Sequence, residues 1–159
     1  MSTPAVAFLQ ASGKPFRIFE TDVDGVDFST IDIGAFFAEQ MGIPGERVYK
    51  SLMASAQGTL VMGLVPVTGK ISLKALANAV GKKKATMVPP TEAEELSGSV
   101  VGGISPFGLL TPMPIVVDQG AFAHPTIAVS GGNRQLKVEL TPADLVEMLG
   151  ATIAAIALD

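Results

Sequence analysis

Val101-Gly102-Gly103-Ile104-Ser105-Pro106-Phe107-Gly108 packs three glycines and a proline into eight residues ahead of an apolar strand. Glycine removes the Cβ and permits positive φ, and Pro106 fixes φ and cannot donate to a central ladder, so the segment breaks regular structure and brings bare backbone close to a neighbour. Two readings are open. One is a tight turn between strands. The other is a pocket of backbone donors for an oxyanion or carbonyl.

Working outward, helix caps and β alternation divide the rest of the chain. Thr3-Pro4 supplies an N-cap and a first-turn proline for a short helix that stops at Gly13. Residues 16–20 read as a strand, 22–29 as an acidic loop, and 32–41 as a helix closed by Gly42. Residues 48–54 alternate as a strand, and 59–67 form the continuous apolar run of a buried one. Ser72 caps a helix through Ala79 that ends at Gly81, and 84–88 reads as a strand broken by Pro89-Pro90. Thr91-Glu92-Ala93-Glu94 has the capping-box pattern for a helix ending at Gly98. Strands follow at 114–118, 126–130 and 136–140, then a helix from Thr141-Pro142 to Gly150 and a last apolar segment to Leu158. About seven strands and five or six short helices, irregularly interleaved and without repeat or linker, predict one compact α+β domain over residues 1–159.

Composition narrows the function classes. The 159 residues are 48% hydrophobic and 16% charged, yet no apolar run reaches the ~18 residues of a membrane span. The first residues lack a basic segment followed by an apolar core, so the expected location is cytoplasmic. With no cysteine, disulfides, thiolate nucleophiles and cysteine-ligated zinc are excluded. A net charge of −4 argues against broad non-specific binding to nucleic acid, DNA included, and leaves room for a small basic patch.

Lys50 is the second residue that needs explaining. Period-two alternation puts it on the apolar side of its strand with Val48, Leu52 and Ala54. Either the strand lies at an edge and the lysine reaches out to water, or the ammonium faces a cleft and holds a phosphate, carboxylate or carbonyl. Other constellations fail. The segment from Gly63 to Ser72 has one spacer too many for a phosphate-binding loop, with Ile71 at the required hydroxyl position. Asp22, Asp24 and Asp27 lack the glycine position and final glutamate of a calcium loop. His124 is the only histidine, so no multi-histidine metal site exists. Lys82-Lys83-Lys84 follows a helix end and suits either that dipole or contact with phosphates. Val146, Leu149, Ile153 and Ile156 have approximate helical spacing and read as core, or as an apolar dimer face.

Together, residues 48–52, 101–108 and 129–136 resemble, in order and spacing, the three signature blocks of the YbaK/EbsC family, the free-standing aminoacyl-tRNA deacylases related to the prolyl-tRNA synthetase editing domain. The flanking segments at 3–6, 68–74 and 140–149 are also similar. The resemblance implies a barrel-like mixed sheet surrounded by short helices. It implies trans-editing of mischarged aminoacyl-tRNA, Cys-tRNA(Pro) or another small amino acid on tRNA(Pro), with no cofactor or metal. By the same resemblance Lys50 positions the substrate and Ser51 lines its pocket. Gly102 and Gly103 present backbone to the aminoacyl carbonyl, with Ile104, Ser105 and Pro106 beside them. Ser130, Gly131 and Gly132 border the terminal adenosine. The attacking group is a ribose hydroxyl, a substrate thiol or water. An aminoacyl ester is already activated, so orientation and oxyanion stabilisation suffice without a strong base.

Two departures bear on substrate choice. Lys137 stands where the cysteine-editing branch commonly carries an acidic residue, and the family's pocket phenylalanine corresponds to Phe28 or falls at Ile33. The expected partners are the 3′-terminal CCA end of aminoacyl-tRNA and prolyl-tRNA synthetase, with the chain a monomer or weak homodimer. The competing readings are a non-catalytic tRNA- or synthetase-binding module and a small-molecule binder.

Overall fold

The caps at Thr3, Ser72 and Thr141 form as written in the computed structural model, which describes residues 3–158. In α1 (Pro4–Ser12) the Thr3 hydroxyl accepts the Val6 N–H at 3.1 Å, and Gly13 closes the helix in the left-handed region. After β1 (Arg17–Glu20) and the acidic loop, α2 (Ile33–Met41) is capped by the Asp32 carboxylate on the Ala35 N–H at 2.9 Å. β2 (Tyr49–Ala56) and β3 (Thr59–Pro66) make an antiparallel hairpin, followed by β4 (Lys70–Ile71) and α3 (Leu73–Ala79), capped by Ser72. Next come β5 (Thr86–Met87), α4 (Pro90–Ser97), β6 (Ile115–Asp118), β7 (Ile127–Ser130) and β8 (Leu136–Leu140). The described chain closes with α5 (Pro142–Leu149), capped by Thr141, then β9 (Thr152–Ala154) and β10 (Ala157–Leu158).

A mixed five-stranded sheet in the order β5-β2-β3-β6-β9 carries the molecule, with β3, β6 and β9 parallel. A three-stranded antiparallel sheet, β1-β8-β7, packs beside it, and β10 pairs with β4. Period-two alternation sorts the central strands between two cores. Tyr49, Met53, Met62, Leu64 and Val117 point to one side, with Leu9, Phe107, Val129, Val138 and Leu145. Ala54, Ala56, Val61, Val65 and Val116 point to the other, under Leu76 of α3 and Ile156. Each fully buried aliphatic side chain contributes roughly 1.5–3 kcal/mol.

Four expectations are corrected. The sheets do not close into a barrel: a single parallel bridge, Val48 to Ala128, joins β2 to β7. The strand expected over 84–88 pairs only at Thr86 and Met87, because the proline pair takes the chain away into α4. The capping box at Thr91 does not form. The N-cap position falls two residues earlier, at Pro89, and the Glu94 carboxylate accepts the Val101 N–H at 2.8 Å instead. Ile153 and Ile156 share no helix with Val146 and Leu149, since Gly150 ends α5; Ile153 lies on edge strand β9, 49% exposed, and Ile156 is in the core.

Candidate active site

The outer edge of β2 carries no ladder between the bridge at Val48 and Met53, whose carbonyl accepts the Val88 N–H at 3.0 Å. That gap opens into a cavity of about 290 Å³. Its walls are the start of α2 (Asp32, Ile33, Gly34), β2 from Tyr49 to Met53, the β5–α4 corner (Val88, Pro90, Ala93), the glycine loop, and Ser130 with Lys137.

β-sheet register explains the polar row. Ser130 and Lys137 are direct partners on β7 and β8, so their side chains leave the sheet on one face. The Val48–Ala128 bridge runs two residues upstream of Lys50 and Ser130, which brings Lys50 to the same neighbourhood. Lys50 is half-buried and joins no ion pair among the described residues. Lys137 is only 4% exposed. Its Nζ donates to Ser130 Oγ at 2.8 Å and sits 4.9 Å from the Phe37 ring centroid. Burial pushes the Lys137 ammonium down to about 8, with the Asp32 carboxylate pulling weakly the other way.

The hydroxyl of Ser130 passes this order to the glycine loop, donating to the Gly102 carbonyl at 3.2 Å. Gly102 has φ +93°, and a Cβ there would lie 3.1 Å from Ile33 Cδ1. At Gly103 a Cβ would come within 2.5 Å of the Asn133 carbonyl carbon, a backbone contact that cannot yield. The Gly103 N–H is spent on the Val100 carbonyl at 2.9 Å, and its own carbonyl accepts the Gly132 N–H at 3.1 Å. Arg134 Nε adds a bond to the Val101 carbonyl at 2.9 Å, so the two glycine turns interlock.

Of the residues singled out from the sequence, Lys50, Ser51, Gly102, Ile104, Ser130 and Lys137 meet at the cavity. Gly103, Ser105, Pro106, Gly131 and Gly132 are not on its wall. Gly103 locks the loop, the Ser105 hydroxyl accepts the Phe107 N–H at 3.2 Å, and Pro106 is buried. The Gly131 carbonyl accepts from Thr3 Oγ1 at 2.6 Å, and Gly132 borders an open groove beside Glu94, Glu95 and Asn133. Phe28 packs edge-to-face on Phe36 at 5.6 Å and stays off the wall, whereas Ile33 is on it. Lys82, Lys83 and Lys84 lie near the β2–β3 turn, where the Lys83 N–H bonds Gln57 Oε1 at 3.0 Å, at the opposite end of β2 from Lys50.

Sequence reading missed Asp32, Gly34, Val88 and Ala93 as cavity residues, although Asp32 stands at the start of the helix expected over 32–41. It also missed Tyr49, whose buried hydroxyl, like the Ser51 Oγ already placed in the pocket, has no hydrogen-bond partner among the described residues. Burial and the nearby Asp118 carboxylate push the Tyr49 phenol upward. Among the described residues no group of His, Asp and Glu is arranged to hold a metal ion, and no helix is long and apolar enough to cross a membrane.

Residues 33–148 match the family model described as the aminoacyl-tRNA editing domain. A protein of Enterococcus faecalis described as a candidate Cys-tRNA(Pro)/Cys-tRNA(Cys) deacylase, EbsC, is 32% identical over 120 residues, 75% of this chain and 73% of its own length. The multifunctional Ser/Thr-tRNA deacylase ProXp-y of Escherichia coli is 24% identical over 144 residues, 90% of this chain and 84% of its own. In fold, the chain superposes on the crystal structure of a candidate trans-editing enzyme for prolyl-tRNA synthetase with TM-score 0.85 and 23% identity, covering 100% of this chain and 99% of the other.

Proposed function

The chain belongs to the aminoacyl-tRNA editing domain family, and on that premise we propose that it is a trans-editing deacylase. It hydrolyses the ester between a small, wrongly attached amino acid, cysteine or another of similar size, and the 3′ end of tRNA(Pro). The observation that carries this reading is that one small cavity gathers Lys50, Ser51, Gly102, Ile104, Ser130 and Lys137 from four separate segments of the chain. Its volume of about 290 Å³ suits an aminoacyl group, and the neighbouring Gly132 groove offers a path for the terminal nucleotide.

In this reading the aminoacyl group enters the gap at the β2 edge. The Lys50 ammonium, free of any carboxylate partner among the described residues, holds the carbonyl or the adjoining ribose-phosphate oxygens. Gly102, with Ile104 behind it, brings backbone to the carbonyl as negative charge develops on its oxygen. Gly103 is a positioning residue, since its own N–H and carbonyl are both engaged within the protein. Water, oriented by the neighbouring ribose hydroxyl, adds to the carbonyl carbon, the ester C–O bond breaks, and the terminal ribose oxygen takes the water's proton as it leaves, freeing the amino acid. Orientation and charge stabilisation carry most of the acceleration.

Hydrolysis of Cys-, Ala-, Ser- and Pro-charged tRNA(Pro) by the wild-type protein tests the proposal. Turnover well above the spontaneous rate for a non-cognate acyl group, with Pro-tRNA(Pro) spared, is expected. Tight binding of charged and uncharged tRNA(Pro) with no hydrolysis would instead identify a binding module.

A further inference from the structure

Lys137 is a costly residue in its setting. Its side chain is almost fully buried on the wall of a cavity lined mainly by apolar groups. An ammonium carries three N–H donors, and Lys137 spends one, on Ser130 Oγ; its other described contact is the face of the Phe37 ring, 4.9 Å away, and no carboxylate lies within ion-pair distance. The single proton of Ser130 goes to the Gly102 carbonyl, so this hydroxyl has no donor left to offer the cavity. The Ser51 hydroxyl on the same cavity is also buried without a partner. Buried donors left unfilled are rare, and they are filled when a ligand supplies the acceptor.

We propose that Lys137 is a specificity-determining residue that reads an oxygen on the aminoacyl side chain, so that the pocket selects the hydroxyl-bearing acyl groups serine and threonine over cysteine and alanine. The inference rests on the deacylase reading and deepens it by taking hydroxyl-bearing acyl groups, in place of cysteine, as the amino acids removed. A hydroxyl oxygen accepts from Nζ, and the same hydroxyl remains able to bond a second group such as Ser51 Oγ. A thiol is a poorer acceptor, and a methyl group leaves the remaining ammonium donors unfilled. A carboxylate side chain would face Asp32, which lies on the same wall. Burial holding the ammonium near 8 is consistent with a group that lacks its full set of partners. Sites that hydrogen-bond a substrate hydroxyl discriminate strongly against analogues lacking it.

The test measures kcat/KM for Ser-, Thr-, Cys- and Ala-charged forms of one tRNA with the wild type, Lys137→Met and Lys137→Gln, each checked for a native melting transition. The wild type is expected to prefer the seryl and threonyl esters. Lys137→Met should lower the Ser/Ala selectivity ratio by about tenfold or more, and Lys137→Gln, which keeps a donor, should fall between. A wild-type preference for cysteine or alanine overturns the assignment, as does a Lys137→Met variant that slows all four esters by one common factor. Absence of turnover of all four by folded wild type contradicts the deacylase reading itself, which the other outcomes leave standing.

Discussion

Lys137 shows how a single residue trades stability for a poised charge. An unfolded lysine titrates near ~10.4, whereas the native Lys137 is held to about 8. Below that value both states are protonated and the whole cost of burying the charge is present. Between about pH 8 and ~10.4 the unfolded state binds more protons, so stability rises with pH. Lys137→Met should therefore be more stable than the wild type at pH 7 by roughly 1–3 kcal/mol, even after losing the bond to Ser130. Urea denaturation at pH 7 and pH 10 checks this: the advantage should shrink at the higher pH, and a gap that does not change with pH would contradict the buried charge. The lysine was legible in the sequence as a departure from the family pattern. Its burial was not, because that depends on α2 laying Phe37 across a strand about a hundred residues distant. Lys50 was easier to read, since strand alternation alone puts it with apolar neighbours.

At the scale of elements, local chemistry wrote the caps plainly and long-range competition rewrote the rest. Thr3, Ser72 and Thr141 all cap as their sequence positions imply. Thr91 does not, because the Val101 N–H takes the Glu94 carboxylate that a capping box would use. The strand at 84–88 is short because only Thr86 and Met87 pair along β2, with the Val88 N–H adding one bond to the Met53 carbonyl, and the unpaired edge beyond is what leaves room for the cavity. Thr3 has a wider role than its helix, because its hydroxyl also bonds the Gly131 carbonyl. Thr3→Ala should cost about 1–2 kcal/mol by chemical denaturation, through loss of the cap and of the buried bond. It should also speed amide exchange at Gly132 and Gly103, whose mutual hydrogen bond it supports. Exchange confined to the first turn of α1 would show that the link to the glycine turns carries no weight.

Across the whole molecule, periodicity revealed the strands and hid their partners. The α+β class followed from irregular interleaving, while the open arrangement of three sheets, and the single bridge where a barrel would have closed, depend on pairings between residues far apart in sequence. The same long-range pairing assembles the site. Residues 50–51, 101–104 and 130–137 become neighbours only when β7 lies against β2 and the two glycine turns interlock. The most direct measurement is the single-turnover hydrolysis rate of a mischarged tRNA(Pro) at saturating protein, wild type against Lys50→Ala. The wild type should hydrolyse the ester far above the spontaneous rate, and the variant, still folded, should lose about a hundredfold or more of that rate. Equal rates for the two proteins would contradict the placement of the chemistry in this cavity.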